Sequence, residues 1–264
     1  MTRAAATAGR TAAKGGPDTS STGQVNIPPP GYFSRTELPL TSLAFLLPLV
    51  VLYEVGTRWF ATDPSHHVEQ RIIAFDLLQR FFHWFGASGR YLPAMAVVGV
   101  LLACHIARRD IWEVNTWHLP GMLLECVILT LPLPLLGALT SHYLPLWAVS
   151  RSAGGMVVMS VGAGIYEELV FRLIAFTILS VLLVDLCRIR RGWAAIWTVG
   201  ISAVLFSLYH YLGNEHYTPQ SFAFRSIAGV YFGAIFLCRG FGVTAGTHAA
   251  YDVIATLLLL RTQS

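Results

Sequence analysis

The chain has 264 residues, of which 55% are hydrophobic and only 12% charged. Its formal charge of +4 comes from 17 arginines and one lysine scattered between apolar segments. This balance reads as an integral membrane protein, and the lack of a continuous basic stripe argues against nucleic-acid binding.

In chain order, residues 1–36 are rich in Ala, Gly, Ser, Thr and Pro and carry the run Pro28-Pro29-Pro30. They hold no apolar stretch for a signal-peptide core, which predicts a disordered tail before a transmembrane domain over 37–264. Arg3, Arg10 and Lys14 precede the first acid, Asp18, so an organelle transit peptide is the alternative reading of that tail. Segments near the bilayer-spanning length of about 20 residues follow at roughly 40–58, 91–107, 117–138, 153–187, 193–212, 221–238 and 243–260. The expected fold is an all-α polytopic bundle of about seven spans. The fourth segment is long enough for a break, which Gly162 and Gly164 are expected to supply.

Between the first two spans, VEQRIIAFDLLQRFFHWF mixes Arg71, Asp76 and Arg80 with large apolar residues, the composition of an interfacial amphipathic helix. Cys104, Cys126, Cys187 and Cys238 fall in or beside apolar spans without paired or metal-type spacing and read as packing residues. Arg108-Arg109, Arg188, Arg190-Arg191 and Arg239 follow the even-numbered spans, which puts those ends and the N-terminus in the cytoplasm, in a plasma (inner) membrane. Arg58, Arg71, Arg80 and Arg90 then lie on the outer side, against the trend.

The fourth span contains GIYEELVFRL, with two adjacent acids and an arginine in an apolar run. Charges inside a bilayer are costly and turn toward the protein interior. Arg172 lies one helical turn after Glu168, so the two can pair, while Glu167 points about 100° away and is left free. Polar partners occur downstream. The fifth span ends in FSLYH, with Phe206 and His210 one turn apart, and the seventh begins GTHAAYD, with His248 and Asp252 one turn apart.

Taken in order, EELVFR, FSLYH and HAAYD resemble the EExxxR, FxxxH and HxxxN/D motifs of the CPBP family, the CAAX-protease and bacteriocin-processing intramembrane proteases. The resemblance covers 167–252, within a catalytic region expected at about 153–260. Gly229 and Gly233 also look like small residues of that family. Leu173 stands where the family often has glycine, and Asp252 where asparagine is common. An ionised aspartate cannot donate to an oxyanion, which puts that role of Asp252 in question.

The resemblance implies an endopeptidase in which Glu167 activates water and His210 holds it or polarises the peptide. His248 and Asp252 would stabilise the oxyanion, with Glu168 and Arg172 supporting the site. A divalent metal such as zinc, held by Glu167, His210 and His248, is the alternative, although the HExxH signature is absent. The substrate would be a membrane-embedded or lipidated protein or peptide, met in the lipid bilayer.

Other charges are assigned structural roles: Glu54 with Arg58, Asp185 near Arg188, and Glu125 without an evident partner and able to face the cavity. Arg225 is the one most suited to meet the acidic site. Two other function classes remain open, a transporter or proton/ion pathway and a bacteriocin-immunity-type binding protein that cleaves nothing. One geometric difficulty stands: His210 lies late in its span and His248 early in a span of the same direction, an offset on the order of 18 Å if the helices start level.

Overall fold

The computed structural model describes residues 31–60, 71–139, 152–213 and 216–263. The tail expectation for residues 1–30 lies outside the described residues. Residues 31–36, given to the tail by composition, are structured: Tyr32–Thr36 forms a short helix, α1.

Every element among the described residues is helical. After α1 come α2 (Pro39–Phe60), the shorter α3 (Ile73–Trp84), α4 (Leu92–Arg108), α5 (His118–Leu129) and α6 (Pro132–Leu139). Helix α7 (Ala153–Glu168) runs on through a π-helical turn, Leu169–Ile174, into α8 (Ala175–Ser180) and a second π segment, Val181–Leu186. Helix α9 (Arg191–Tyr209) ends in the 3-10 turn His210–Leu212, and α10 (Pro219–Gln263) follows.

Among the described residues, five segments are long and apolar enough to cross a bilayer: Pro39–Phe60, His118–Leu139, Ala153–Leu186, Arg191–Leu212 and Pro219–Arg261. Leu92–Arg108 is apolar but shorter. The last segment is two helices joined at Gly240, whose φ of 74° is readily adopted only by glycine. All seven apolar segments of the sequence are thus helical, and the chain is an integral membrane protein. Their outward faces carry large apolar side chains, such as Val51 and Val55 on α2 and Leu123, Leu124 and Ile128 on α5. Such a face suits lipid, which offers a backbone no hydrogen bonds and so demands helices closed on themselves.

The expected break at Gly162 and Gly164 is not there. Both are helical, and the helix widens instead just after Glu168. The glycines serve close packing: a Cβ on Gly162 would fall 2.1 Å from the Tyr53 ring. At Gly164 it would fall 2.4 Å from the amide nitrogen of Ala249. The second half of α10 therefore lies directly against α7, and these two helices form the centre of the bundle, with α2 and α9 on their flanks.

Helix α3 is amphipathic as expected, burying Ala74, Phe75 and Leu78 and exposing Phe81, Trp84 and the following Phe85. Just before it, Arg71 pairs with Glu54 at 3.0 Å and lies over the rings of Tyr53 and Phe75. Glu54, matched with Arg58 in the sequence, also accepts from the Tyr166 hydroxyl at 3.1 Å and so ties α2 to α7. Glu125 does not face the cavity. It is held by Arg239 beside the Gly240 bend of α10 and accepts from the Tyr32 hydroxyl at 2.9 Å. Arg239 also donates to Thr36 Oγ1 at 2.6 Å and to the Phe33 carbonyl at 3.2 Å, which fastens α1 to the bend. The four cysteines are free, and Cys126 donates to the Val243 carbonyl across the α5–α10 contact.

Candidate active site

Glu167 and Glu168 are the last two residues of α7, at the start of the widened turn. Glu168 and Arg172 are both fully buried and form the expected ion pair, Nε to Oε2, at 3.0 Å. The contact is a charge pair with an angle off the hydrogen-bond line, because Nε makes no aligned hydrogen bond. Arg172 Nη2 donates instead to the Gly229 carbonyl at 3.1 Å, and its guanidinium lies 4.5 Å from the Phe206 ring centre. A buried ion pair is retained only where such extra contacts offset desolvation. Gly229 is small for a reason, since a Cβ there would meet Ala203 Cα at 2.9 Å.

The second oxygen of Glu168 meets His248, with Nδ1 and Oε1 2.7 Å apart. Asp252, one turn later, places Oδ2 3.5 Å from Nε2 of the same ring. Carboxylates thus face both nitrogens of His248. The ring also stacks on Phe232, with centres 4.6 Å apart and planes 18° from parallel.

His210 opens the short turn after α9, where its Nδ1 lies 2.8 Å from the Phe206 carbonyl. That bond makes Nδ1 the donor and leaves Nε2 with its lone pair, aimed at Glu167. The FxxxH spacing therefore works twice: the Phe206 carbonyl fixes the tautomer, and its ring meets the imidazole edge at 4.8 Å.

Glu167, read from the sequence as free, lies where these groups converge. Its Oε2 is 3.7 Å from His210 Nε2 and 3.9 Å from His248 Nε2, and accepts no hydrogen bond among the described residues. Its Oε1 is 3.4 Å from the Tyr209 hydroxyl. The six predicted residues, Glu167, Glu168, Arg172, His210, His248 and Asp252, are therefore gathered in one site. Both histidines nonetheless reach the same carboxylate oxygen, which answers the difficulty of their unequal depth. Arg225 is buried on the first half of α10, with its guanidinium 5.9 Å from the Tyr211 ring centre.

Among the described residues, no group of three or more His, Cys, Asp and Glu side chains is arranged to hold a metal ion.

Residues 150–254 match the family of type II CAAX prenyl endopeptidases, Rce1-like. The chain carries an Rce1-like domain. That domain contains all three motifs and leaves α1 to α6 outside it. The resemblance read from EELVFR, FSLYH and HAAYD thus agrees with a family match over the whole of that region. No curated protein and no solved structure matches the chain.

Motif reading missed three residues of the Rce1-like domain that shape the site. Gly164 lets α7 and α10 touch, Phe232 stacks on His248, and Tyr209 reaches Glu167. Only Tyr209 had a local signal, being a phenol next to the motif histidine in an otherwise apolar helix.

Proposed function

We propose that the chain is an intramembrane endopeptidase that hydrolyses a peptide bond in a membrane-associated or lipidated protein or peptide, with Glu167 as general base. One observation carries this reading: the Oε2 of Glu167 is buried and faces Nε2 of both His210 and His248 at separations just beyond direct hydrogen bonding. Gaps of that size are commonly bridged by a water.

In the proposed reaction, a water between these groups attacks the scissile carbonyl carbon and passes a proton to Glu167 Oε2. His210, anchored through Nδ1, holds the water by accepting its second hydrogen at Nε2. His248 keeps one N–H on Glu168 and, as an imidazolium, offers the other to the developing oxyanion. The C–N bond then breaks as the proton on Glu167 moves to the leaving amine, which restores the carboxylate. Glu168 and Arg172 hold the site in register, and the Asp252 carboxylate orients His248 from the following turn.

The test compares new protein termini in membranes from cells carrying the wild-type chain and Glu167→Gln at matched expression. It is paired with turnover of a farnesylated CAAX peptide by the purified chains. Glu167→Gln should lower turnover about 10²–10⁴-fold. Identical terminus profiles and equal turnover would sink the reading and move the site toward a proton path or a binding scaffold.

The arginines after the even-numbered spans support a cytoplasmic N-terminus in a plasma membrane. Labelling of the exposed Cys187 by an impermeant maleimide from the cytoplasmic side alone is the expected result. Labelling from the other side would reverse the orientation.

A further inference from the structure

Tyr209 stands at an unspecified position of the FxxxH motif, yet its hydroxyl is the sole side-chain hydrogen-bond donor to Glu167 among the described residues. The ring is buried, edge-on to Phe171 at 5.2 Å and to His210 at 5.1 Å, and a phenylalanine would fill the same space. The oxygen is what needs explaining, because a buried hydroxyl is unfavourable unless bonded.

A carboxylate oxygen accepts and does not donate, so the phenol turns its own hydrogen toward Glu167 Oε1. The turn after α9 is pressed against α3 here, since a Cβ on Gly213 would meet Ile73 Cδ1 at 2.8 Å.

We propose that Tyr209 is a positioning residue for the base: it takes up Oε1 of Glu167 and so presents Oε2 to the two imidazoles. The inference rests on the reading of Glu167 as the base. The sequence departure at Asp252 leaves the site rich in acceptors, and Tyr209 adds a neutral donor among them.

The test uses the full chain in detergent with Tyr209→Phe, which keeps the ring and removes the hydroxyl. Turnover of the farnesylated CAAX peptide should show kcat lowered about tenfold, the loss of one charge-assisted hydrogen bond, with KM within twofold of wild type. A purely packing role would leave kcat unchanged. Infrared difference spectra against Glu167→Gln isolate the Glu167 carboxyl band without any turnover. That band should shift in Tyr209→Phe. An unmoved band, or a wild-type kcat, overturns the positioning role. A wild-type chain that cleaves no peptide while the band shifts counts against the protease reading and leaves the Tyr209–Glu167 bond standing.

Discussion

The Cβ that Gly164 lacks would fall 2.4 Å from the amide nitrogen of Ala249. Helices α7 and α10 therefore touch backbone to backbone one turn before Glu168, beside His248, and the 2.7 Å contact between those side chains depends on that approach. Gly164→Ala should push the helices apart, with a loss of about 1–3 kcal/mol and at least a tenfold fall in peptide turnover. Gly192→Ala, which meets nothing within 4 Å, is the control and should be silent. Thermal unfolding in detergent and cleavage of the farnesylated peptide check both. A Gly164→Ala variant as active as wild type would show that the helix contact is not what sets the site.

Arg172→Met should be the most damaging single change at the site to stability. It leaves Glu168 buried without its cation, a loss of about 3–5 kcal/mol for a broken buried pair. The double variant Arg172→Met with Glu168→Gln removes the stranded charge and should recover abundance in the membrane, but not turnover. If the single variant already accumulates and melts like wild type, the pair does not hold the bundle together.

Asp252 stands 3.5 Å from His248 Nε2 and, when ionised, only accepts hydrogen bonds. Asparagine keeps an acceptor there and adds a donor. Asp252→Asn should therefore stay within about threefold of wild-type kcat, whereas Asp252→Ala, with neither, should lose about tenfold or more. Parallel measurement of kcat for the two variants decides the matter. An asparagine variant as poor as the alanine would mean that the charge of Asp252 is itself required.

At the bend of α10, Glu125→Ala removes an acceptor of both Arg239 and Tyr32. It should lower the melting temperature and leave kcat unchanged, because this cluster fastens α1 and touches none of the site residues. Partial burial, together with the hydrogen bond to Glu125, pushes the Tyr32 phenol up to about 12. Between its ordinary value and that point the folded chain holds a proton that the unfolded chain has released. Stability from Tyr32 is thus complete below about 10 and falls as pH rises toward 12. Tyr32→Phe should flatten that part of the stability profile, and an unchanged profile would contradict the link.

Metal dependence gives the remaining prediction. If Glu167 activates the water without a metal, strong chelators should leave peptide turnover unchanged and purified protein should carry no stoichiometric zinc. Elemental analysis beside the activity assay checks this. Zinc at one per chain together with chelator-sensitive turnover would replace the glutamate-activated water with a metal-bound one.

Much of the molecule is legible in the sequence because a bilayer leaves few choices. Apolar runs of spanning length must become helices, and buried charges must find partners, so the all-helical fold and the Glu168–Arg172 pair follow from spacing alone. The i to i+4 motifs also carry their own local chemistry, as when the Phe206 carbonyl fixes the His210 ring. Spacing misled where partners come from distant segments. Glu125 found Arg239, and Glu54 was taken up by Arg71, because pairing across helices depends on which faces meet.

What the sequence by itself determined is therefore the set of helices and the identity of the polar residues they must shelter. Only the tertiary structure decided that Glu167 faces both histidines and that Tyr209 reaches the same carboxylate. The physical reason is range: helical periodicity fixes neighbours within one turn, whereas the way two helices meet is set by close contacts such as Gly164 on Ala249, which no local pattern specifies.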